Sequence, residues 1–257
     1  VFLYDRPETS KHVSKEELAY IEQDKELDNE KTSENGTAKK LGFMECLRYR
    51  QTWAFAVGKF MTDGVWWFFG IKTSDPKGMA LIFTLYAITM LSIYGGKLPT
   101  IFINNAMRKG QTFDPYAARM KAMLIFAFLP LVVLLAQPLG RISPWFPVIL
   151  IGIGAAAHQS WSANIFSTVG DMFPKSSIAT ITGIGGMAGG LGSMFLQKVA
   201  GELFVYSEQV NLSFLGFSGK PAGYFIIFCF CATAYLIGWC IMKALVPKYK
   251  VVTLSNS

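Results

Sequence analysis

The sequence predicts an all-α membrane protein, a bundle of six transmembrane helices. Three observations predict it. Of the 257 residues, 52% are hydrophobic, and the mean hydropathy is +0.35. Charged residues make up only 16%, against about 25% in an average soluble domain. Six apolar stretches reach the length of roughly 17–20 residues that a helix needs to cross the hydrocarbon core.

The stretches are 52–69, 79–98, 120–136, 145–166, 178–197 and 224–242. The first contains Lys59 and Asp63. It runs directly into Gly70-Ile71-Lys72-Thr73-Ser74-Asp75-Pro76, so it reads as short or discontinuous. The second leads into a loop expected over 97–119. The third carries Pro130, expected to kink it where neighbours satisfy the freed carbonyl. The fourth has a polar middle, and the fifth is glycine-rich. The sixth contains Cys229, Cys231 and Cys240, which with Cys46 form no spaced framework and read as buried free thiols. The resulting organisation is a cytoplasmic linker over 1–50, the bundle over 51–246 and a cytoplasmic tail over 247–257. Within the linker, Ser14-Lys15-Glu16-Glu17 offers a capping box for a short helix to Asp24. No cleavable signal-peptide pattern is visible at the N-terminus.

Charge sets the orientation. With the N-terminus inside, 18 of the 24 Lys and Arg residues fall on cytoplasmic segments and 5 on outside segments. The positive-inside rule then places both termini in the cytoplasm. Trp66, Trp67, Trp145 and Tyr224 lie near expected outer edges, where amphipathic rings anchor helices. The expected location is a cell inner membrane, crossed several times. Residues 51–257 hold 15 bases against 6 acids. This excess sits at the ends of apolar runs and not along a soluble surface, which argues for lipid and against nucleic acid. His12 and His158 are far apart and no Cys cluster joins them, which excludes a recognisable zinc site. No triad of nucleophile, base and orienting acid is visible either. The sequence therefore reads as neither an enzyme nor a cofactor-binding protein.

Ionisable and amide groups at bilayer depth are costly unless they face protein or a wet cavity. Lys59 and Asp63 are i and i+4 on one helix face. They either neutralise each other, or Lys59 meets an anionic substrate while Asp63 takes part in ion coupling. The run His158-Gln159-Ser160-Trp161-Ser162-Ala163-Asn164 is the richest polar segment. Hydroxyls and amides such as Gln159, Ser160, Ser162 and Asn164 suit sugar-like hydroxyls, and the Trp161 indole suits the apolar face of a pyranose ring. The alternative is helix glue, at about 0.6–1 kcal/mol per contact. His158 reads as a hydrogen-bonded interior residue or a proton carrier. Gly185/Gly189 and Gly186/Gly190 are overlapping G-x-x-x-G pairs, expected to pack helices closely.

Several segments resemble one transporter family. Tyr49 to Asp63 with Trp66-Trp67-Phe68 resembles the seventh helix of the hexuronate branch of the anion:cation symporters, a branch of the major facilitator superfamily. His158 to Asn164, followed by Asp171-Met172-Phe173-Pro174, resembles its tenth helix and next loop. Gly183 to Gly192 resembles the eleventh, Pro247-Lys248-Tyr249 the end of the twelfth, and Gly95-Gly96-Lys97 to Arg108-Lys109-Gly110 a family loop signature. Tyr4-Asp5-Arg6-Pro7-Glu8 and Val13 to Glu17 resemble the central cytoplasmic loop. The resemblance covers the second half of such a transporter. It implies the C-terminal half of a major facilitator fold, partnered by an N-terminal six-helix half. It also implies proton-coupled symport of a hexuronate or related sugar-acid anion, with sodium left open as the coupling ion, and the tenth-helix run as the C-terminal wall of the cavity. The competing expectation is a membrane module that packs against another subunit and transports nothing.

Overall fold

The computed structural model describes residues 41–66, 76–110, 114–250 and 252. The chain divides into residues 1–40 and 41–257, and every described residue belongs to the second unit. The expected helix from Ser14 and the break after Phe69 lie outside the described residues.

The second unit is almost wholly helical: α1 Phe43–Cys46, α2 Arg50–Trp66, α3 Pro76–Thr89, α4 Ile93–Arg108, α5 Pro115–Phe128, α6 Ala136–Gly140, α7 Trp145–Met172, α8 Lys175–Gln209 and α9 Lys220–Leu245. A 3₁₀ turn, Met90–Ser92, joins α3 to α4. A longer 3₁₀ stretch, Leu129–Leu135, joins α5 to α6. Pro130 lies at the start of that stretch and is buried. Its missing N–H removes one α-helical bond, and the winding tightens to 3₁₀ there. The two-residue strands β1 Ser213–Phe214 and β2 Phe217–Ser218 pair antiparallel before α9. Leu215 and Gly216 both have positive φ, at 47° and 82°, as a tight hairpin turn requires.

Four continuous helical segments are long and apolar enough to cross a membrane: Ala80–Arg108, Pro115–Gly140, Lys175–Gln209 and Lys220–Leu245. The sequence led us to expect six. The remaining two candidates, α2 and α7, differ for physical reasons. Only 17 residues of α2 are described, and they include Lys59 and Asp63. The 28 residues of α7 are ample in length, but His158, Gln159 and Asn164 lower the apolarity of its middle.

The helices outrun their apolar stretches. The loop expected over 97–119 is helical to Arg108, and the next helix starts at Pro115. Gly110, at φ +66°, ends the first. The side chain of Asp114 accepts a hydrogen bond from the Ala117 amide at 3.1 Å and caps the second, with proline at the first helical position. The fifth stretch, expected over 178–197, is a helix of 35 residues to Gln209. Hydropathy marks the part of a helix that suits lipid, whereas caps mark where it ends.

The core lies between α2, α7, α8 and α9 and includes Phe55, Val65, Trp161, Ile165, Ile181 and Tyr235, none more than 2% exposed. Leu41 and Cys46 belong to the same cluster, so residues 41–50, assigned by sequence to the linker, pack with the bundle. The G-x-x-x-G pairs of α8 separate. Side chains added at Gly185, Gly189 or Gly192 would collide with the Phe55 ring, the Asp63 carboxylate or the Phe60 carbonyl of α2. Gly186 and Gly190 meet nothing among the described residues. One face of α8 therefore brings α2 to close approach and the other stays open.

Gly192→Ala should destabilise the bundle by about 1–3 kcal/mol, because its methyl group meets backbone that cannot rotate away. Gly190→Ala should be neutral or slightly stabilising, since alanine favours the helix. Thermal unfolding of the two variants in detergent checks this. Equal melting temperatures would contradict the packing described.

Candidate functional site

An α-helix turns about 100° per residue, so the side chains of a seven-residue run cannot share one face. On α7 the run divides three ways. His158 and Trp161 point at α9. The His158 ring nitrogen Nδ1 lies 2.8 Å from the Tyr235 hydroxyl. The indole of Trp161 is fully buried and meets the Tyr235 ring edge-on, with centroids 5.6 Å apart.

Ser160 and Asn164 point at α4. The Asn164 amide donates to the carbonyls of Gly95, at 3.0 Å, and Ser160, at 2.8 Å. The Ser160 hydroxyl donates to the Ala156 carbonyl at 2.9 Å and reaches that of Ser92 at 3.4 Å. Gly95 makes this approach possible, since any side chain there would strike Ser160. Gly95, within the second expected span, lies inside α4 as a contact point for α7.

Gln159, Ser162, Ala163 and Phe166 form the third direction. Gln159, Ala163 and Phe166 are exposed and Ser162 is half-buried. This edge meets the charged pair of α2. The Lys59 ammonium is 2.8 Å from the Asp63 carboxylate and lies 4.6 Å from the centre of the Phe166 ring. Lys59 is buried at 7% exposure. Asp63 is more open and rests against Gly189 of α8. The Phe55 ring packs edge-on against Phe166, with centroids 5.5 Å apart, and closes the corner. A carboxylate and a ring face on either side of a cation both attract it.

The structure therefore sets the Lys59–Asp63 pair against Phe166, on the face of α7 that also carries Gln159 and Ser162. It puts His158 and Trp161 behind that edge and Ser160 and Asn164 on the far side of α7. Gly185 and Gly189 support the edge through α2, while Gly186 and Gly190 face away. Two buried polar atoms of α7, Trp161 Nε1 and Asn164 Oδ1, have no hydrogen-bond partner among the described residues.

Sequence reasoning missed Tyr235, because its apolar surroundings in α9 hid a hydroxyl that reaches His158. It also missed Phe166. A second link went unseen: Arg119 of α5 grips Asp171 of α7 through two nitrogens, at 2.5 and 3.3 Å. The opposite charges of the two residues, 52 positions apart, were the available signal, and spacing alone cannot pair them. Among the described residues, no group of three or more His, Cys, Asp or Glu is arranged to hold a metal ion.

The chain is distantly homologous to the hexuronate transporters of Escherichia coli K12 and of Escherichia coli O157:H7. Each is 27% identical over 211 residues, which cover 79% of this chain and 47% of the relative. The chain spans about half the length of the curated relatives it matches. No protein-family model and no solved structure matches it.

Removing one partner of a buried ion pair costs more than replacing both by apolar groups. Asp63→Asn or Lys59→Met alone should each lower stability by about 2–4 kcal/mol, and the double variant Lys59→Met/Asp63→Leu should recover part of that loss. A double-mutant cycle on thermal or denaturant unfolding in detergent checks it, and simple additivity would mean the two charges do not depend on each other.

Proposed function

We propose that this chain is the C-terminal six-helix half of a major facilitator symporter that carries a hexuronate or related sugar-acid anion together with a proton. Distant homology to a transporter supports the general class. The observation that carries the finer reading is the Lys59–Asp63 pair lying against Phe166, on the face of α7 that also carries exposed Gln159 and half-buried Ser162. A buried cation on the same side as an amide and a hydroxyl suits an anion that is otherwise covered with hydroxyls.

In this reading Lys59 takes the substrate carboxylate, while Gln159 and Ser162 hydrogen-bond ring hydroxyls. Phe166 offers an apolar surface to the sugar. Ser160, Trp161 and Asn164 complete the same wall from behind by fixing α7 against α4 and α9. Asp63 is the coupling group. While ionised it holds Lys59. When its carboxylate accepts a proton from water, the attraction falls and Lys59 is released to the substrate carboxylate. One proton and one anion then share the site, and release of either restores the internal pair. Each ligand shifts the balance between outward-open and inward-open states by its differing affinity for them. His158, held by Tyr235, is a second proton site on the same wall.

The cavity of such a carrier lies between two halves. The partner in this reading is an N-terminal six-helix half, and the surrounding solvent is the lipid bilayer of a cell inner membrane, with both termini cytoplasmic. The span Ala80–Arg108 has only 11% of its most apolar stretch buried within this unit, which leaves it to be covered by lipid or by that second bundle.

Uptake of a labelled hexuronate panel, by cells expressing the whole transporter with and without a protonophore, tests the reading. Uptake should fall when the proton gradient is collapsed, and Lys59→Gln should raise the half-saturating substrate concentration by tenfold or more, given the roughly 1.4 kcal/mol that each tenfold represents. Asp63→Asn should abolish accumulation against a gradient while leaving the protein inserted. Proton-driven accumulation at the unmodified rate in Asp63→Asn would remove Asp63 from the mechanism. Normal uptake by Lys59→Gln, Gln159→Ala and Ser162→Ala together would favour a bundle that only packs against a partner.

A further inference from the structure

A second charged feature lies away from this edge, where the chain enters α2 and leaves α9. The residues before and at the start of α2 and the tail after α9 enclose an open groove of about 710 Å³. Arg48, Arg50, Lys248 and Lys250 line it, and no carboxylate does among the described residues. All four cations are exposed.

The groove is held in shape. The Gln51 amide donates to the Lys250 carbonyl at 3.2 Å, and the Val252 amide donates to the Met172 carbonyl at 2.8 Å. The Tyr249 hydroxyl donates to the Asp171 carbonyl at 3.0 Å, and the Tyr49 ring packs edge-on against Phe173. Asp171, the nearest acid linked to this tail, already has its carboxylate engaged by Arg119. The four cations therefore have no internal counter-charge among the lining residues.

Apolar surface flanks them. On α1, Phe43 is 47% and Met44 72% exposed, and Trp53, one turn into α2, is 49% exposed. The Trp53 indole nitrogen donates back to the Leu47 carbonyl at 2.8 Å, which fixes the ring at this end of the helix. Exposed apolar side chains beside clustered cations are the composition of a surface that rests in the headgroup region. A free phosphate would use the cations alone and would leave Phe43, Met44 and Trp53 without purpose.

We propose that this groove is a binding site for the headgroup phosphate of an anionic phospholipid, with Arg48, Arg50, Lys248 and Lys250 as phosphate ligands and Phe43, Met44 and Trp53 resting on the adjoining acyl region. Arginine forks suit the phosphate oxygens directly, and the lysines add point charge. Bound there, the lipid bridges the entry to α2 and the tail after α9, joining the two ends of the bundle.

The test uses the full chain in detergent with added phosphatidylglycerol, phosphatidylcholine or inorganic phosphate, read by thermal unfolding and by lipid retained in native mass spectrometry. Phosphatidylglycerol should raise the melting temperature and stay bound. Phosphatidylcholine and inorganic phosphate at the same concentration should do neither. The variant Arg48→Gln/Arg50→Gln/Lys248→Gln/Lys250→Gln should bind phosphatidylglycerol at least about tenfold more weakly, since each such cation contributes measurably near an anionic surface. The control Arg108→Gln/Lys109→Gln, which removes exposed charge elsewhere, should bind it as the unmodified chain does. Stabilisation by inorganic phosphate equal to that by the lipid would assign the groove to a soluble anion and overturn the proposal. So would equal retention of phosphatidylcholine, or equal loss of binding in the control. If the fourfold variant fails to fold, Lys248→Gln/Lys250→Gln alone is the deciding variant. Unchanged lipid retention there also overturns it.

Discussion

A charge inside a low-dielectric bundle must be matched by another charge or by oriented dipoles, and this requirement organises the whole of α2. Lys59 and Asp63 can face each other because they are one helical turn apart. They can remain partly desolvated because α8 closes over them. That closure needs Gly189, whose absent side chain leaves room for the Asp63 carboxylate, and Gly185 and Gly192, which admit the Phe55 ring and the Phe60 backbone. The ion pair and the glycine face are therefore parts of one device. A wider α8 would move α2 outward, let water reach the pair and weaken the attraction that holds Lys59. Helix packing here sets an electrostatic quantity, through distance and dielectric.

The polar run of α7 obeys the same requirement in another way. Seven residues on a helix cover nearly two turns, so their side chains radiate to every neighbour. Asn164 and Ser160 are consumed by carbonyls of α4 and of α7 itself. His158 and Trp161 are consumed by Tyr235. Only Gln159 and Ser162 are left with open surroundings, together with the ring of Phe166. A helix that must both line a cleft and lock against two neighbours has to be polar on more than one side. The same residues therefore carry two signals, packing and binding, and the positions within the turn distinguish them. Trp161 illustrates the competition. An indole presented to a sugar needs a bare face, whereas here the ring lies wholly within the bundle, and its role in the proposed carrier is to hold the wall behind the open edge.

The all-α class was legible because hydropathy is a direct consequence of what a helix must do in lipid, and four of the six expected spans satisfy it by length and composition. Element ends were less legible. The Asp114 cap and the Gly110 turn are local chemistry that a hydropathy window averages away; the second apolar stretch, ending at 98, stops ten residues before its helix does at Arg108, and the fifth, ending at 197, stops twelve before its helix does at Gln209. The pairing of Lys59 with Asp63 was legible from spacing alone. The division of residues 158–164 among three neighbours was not, because periodicity gives the angle of each side chain but not which helix stands there. Tyr235, Gly95 and Arg119 entered the site for the same reason: each lies far along the chain from its partner, 77, 69 and 52 residues from His158, Asn164 and Asp171 respectively. The two G-x-x-x-G pairs had identical sequence signals and opposite outcomes, since only the arrival of α2 distinguishes one face of α8 from the other.

Long-range hydrogen bonds are unevenly distributed between the ends of the bundle, and this bears on how it moves under the proposed function. Near the start of α5 and the end of α9, the Tyr116 hydroxyl donates to the Val246 carbonyl at 2.6 Å and the Trp239 indole donates to the Met120 carbonyl at 2.8 Å. Arg119 joins α5 to α7, and Tyr249 joins the tail to α7. Each joins α5 or α7 to another element, and each would have to break if those elements slid past one another. One of these bonds is buried and two are partly buried, so breaking them together has a cost that couples α5, α7, α9 and the tail. A carrier that alternates by rocking one half against another requires this internal stiffness, since bending within a half would dissipate the motion. Among the described residues, Gln159 and Ser162 make no hydrogen bond to another helix, and Phe166 meets α2 only through the Phe55 ring and the Lys59 ammonium, so in the proposed carrier this edge is the part left free to exchange partners.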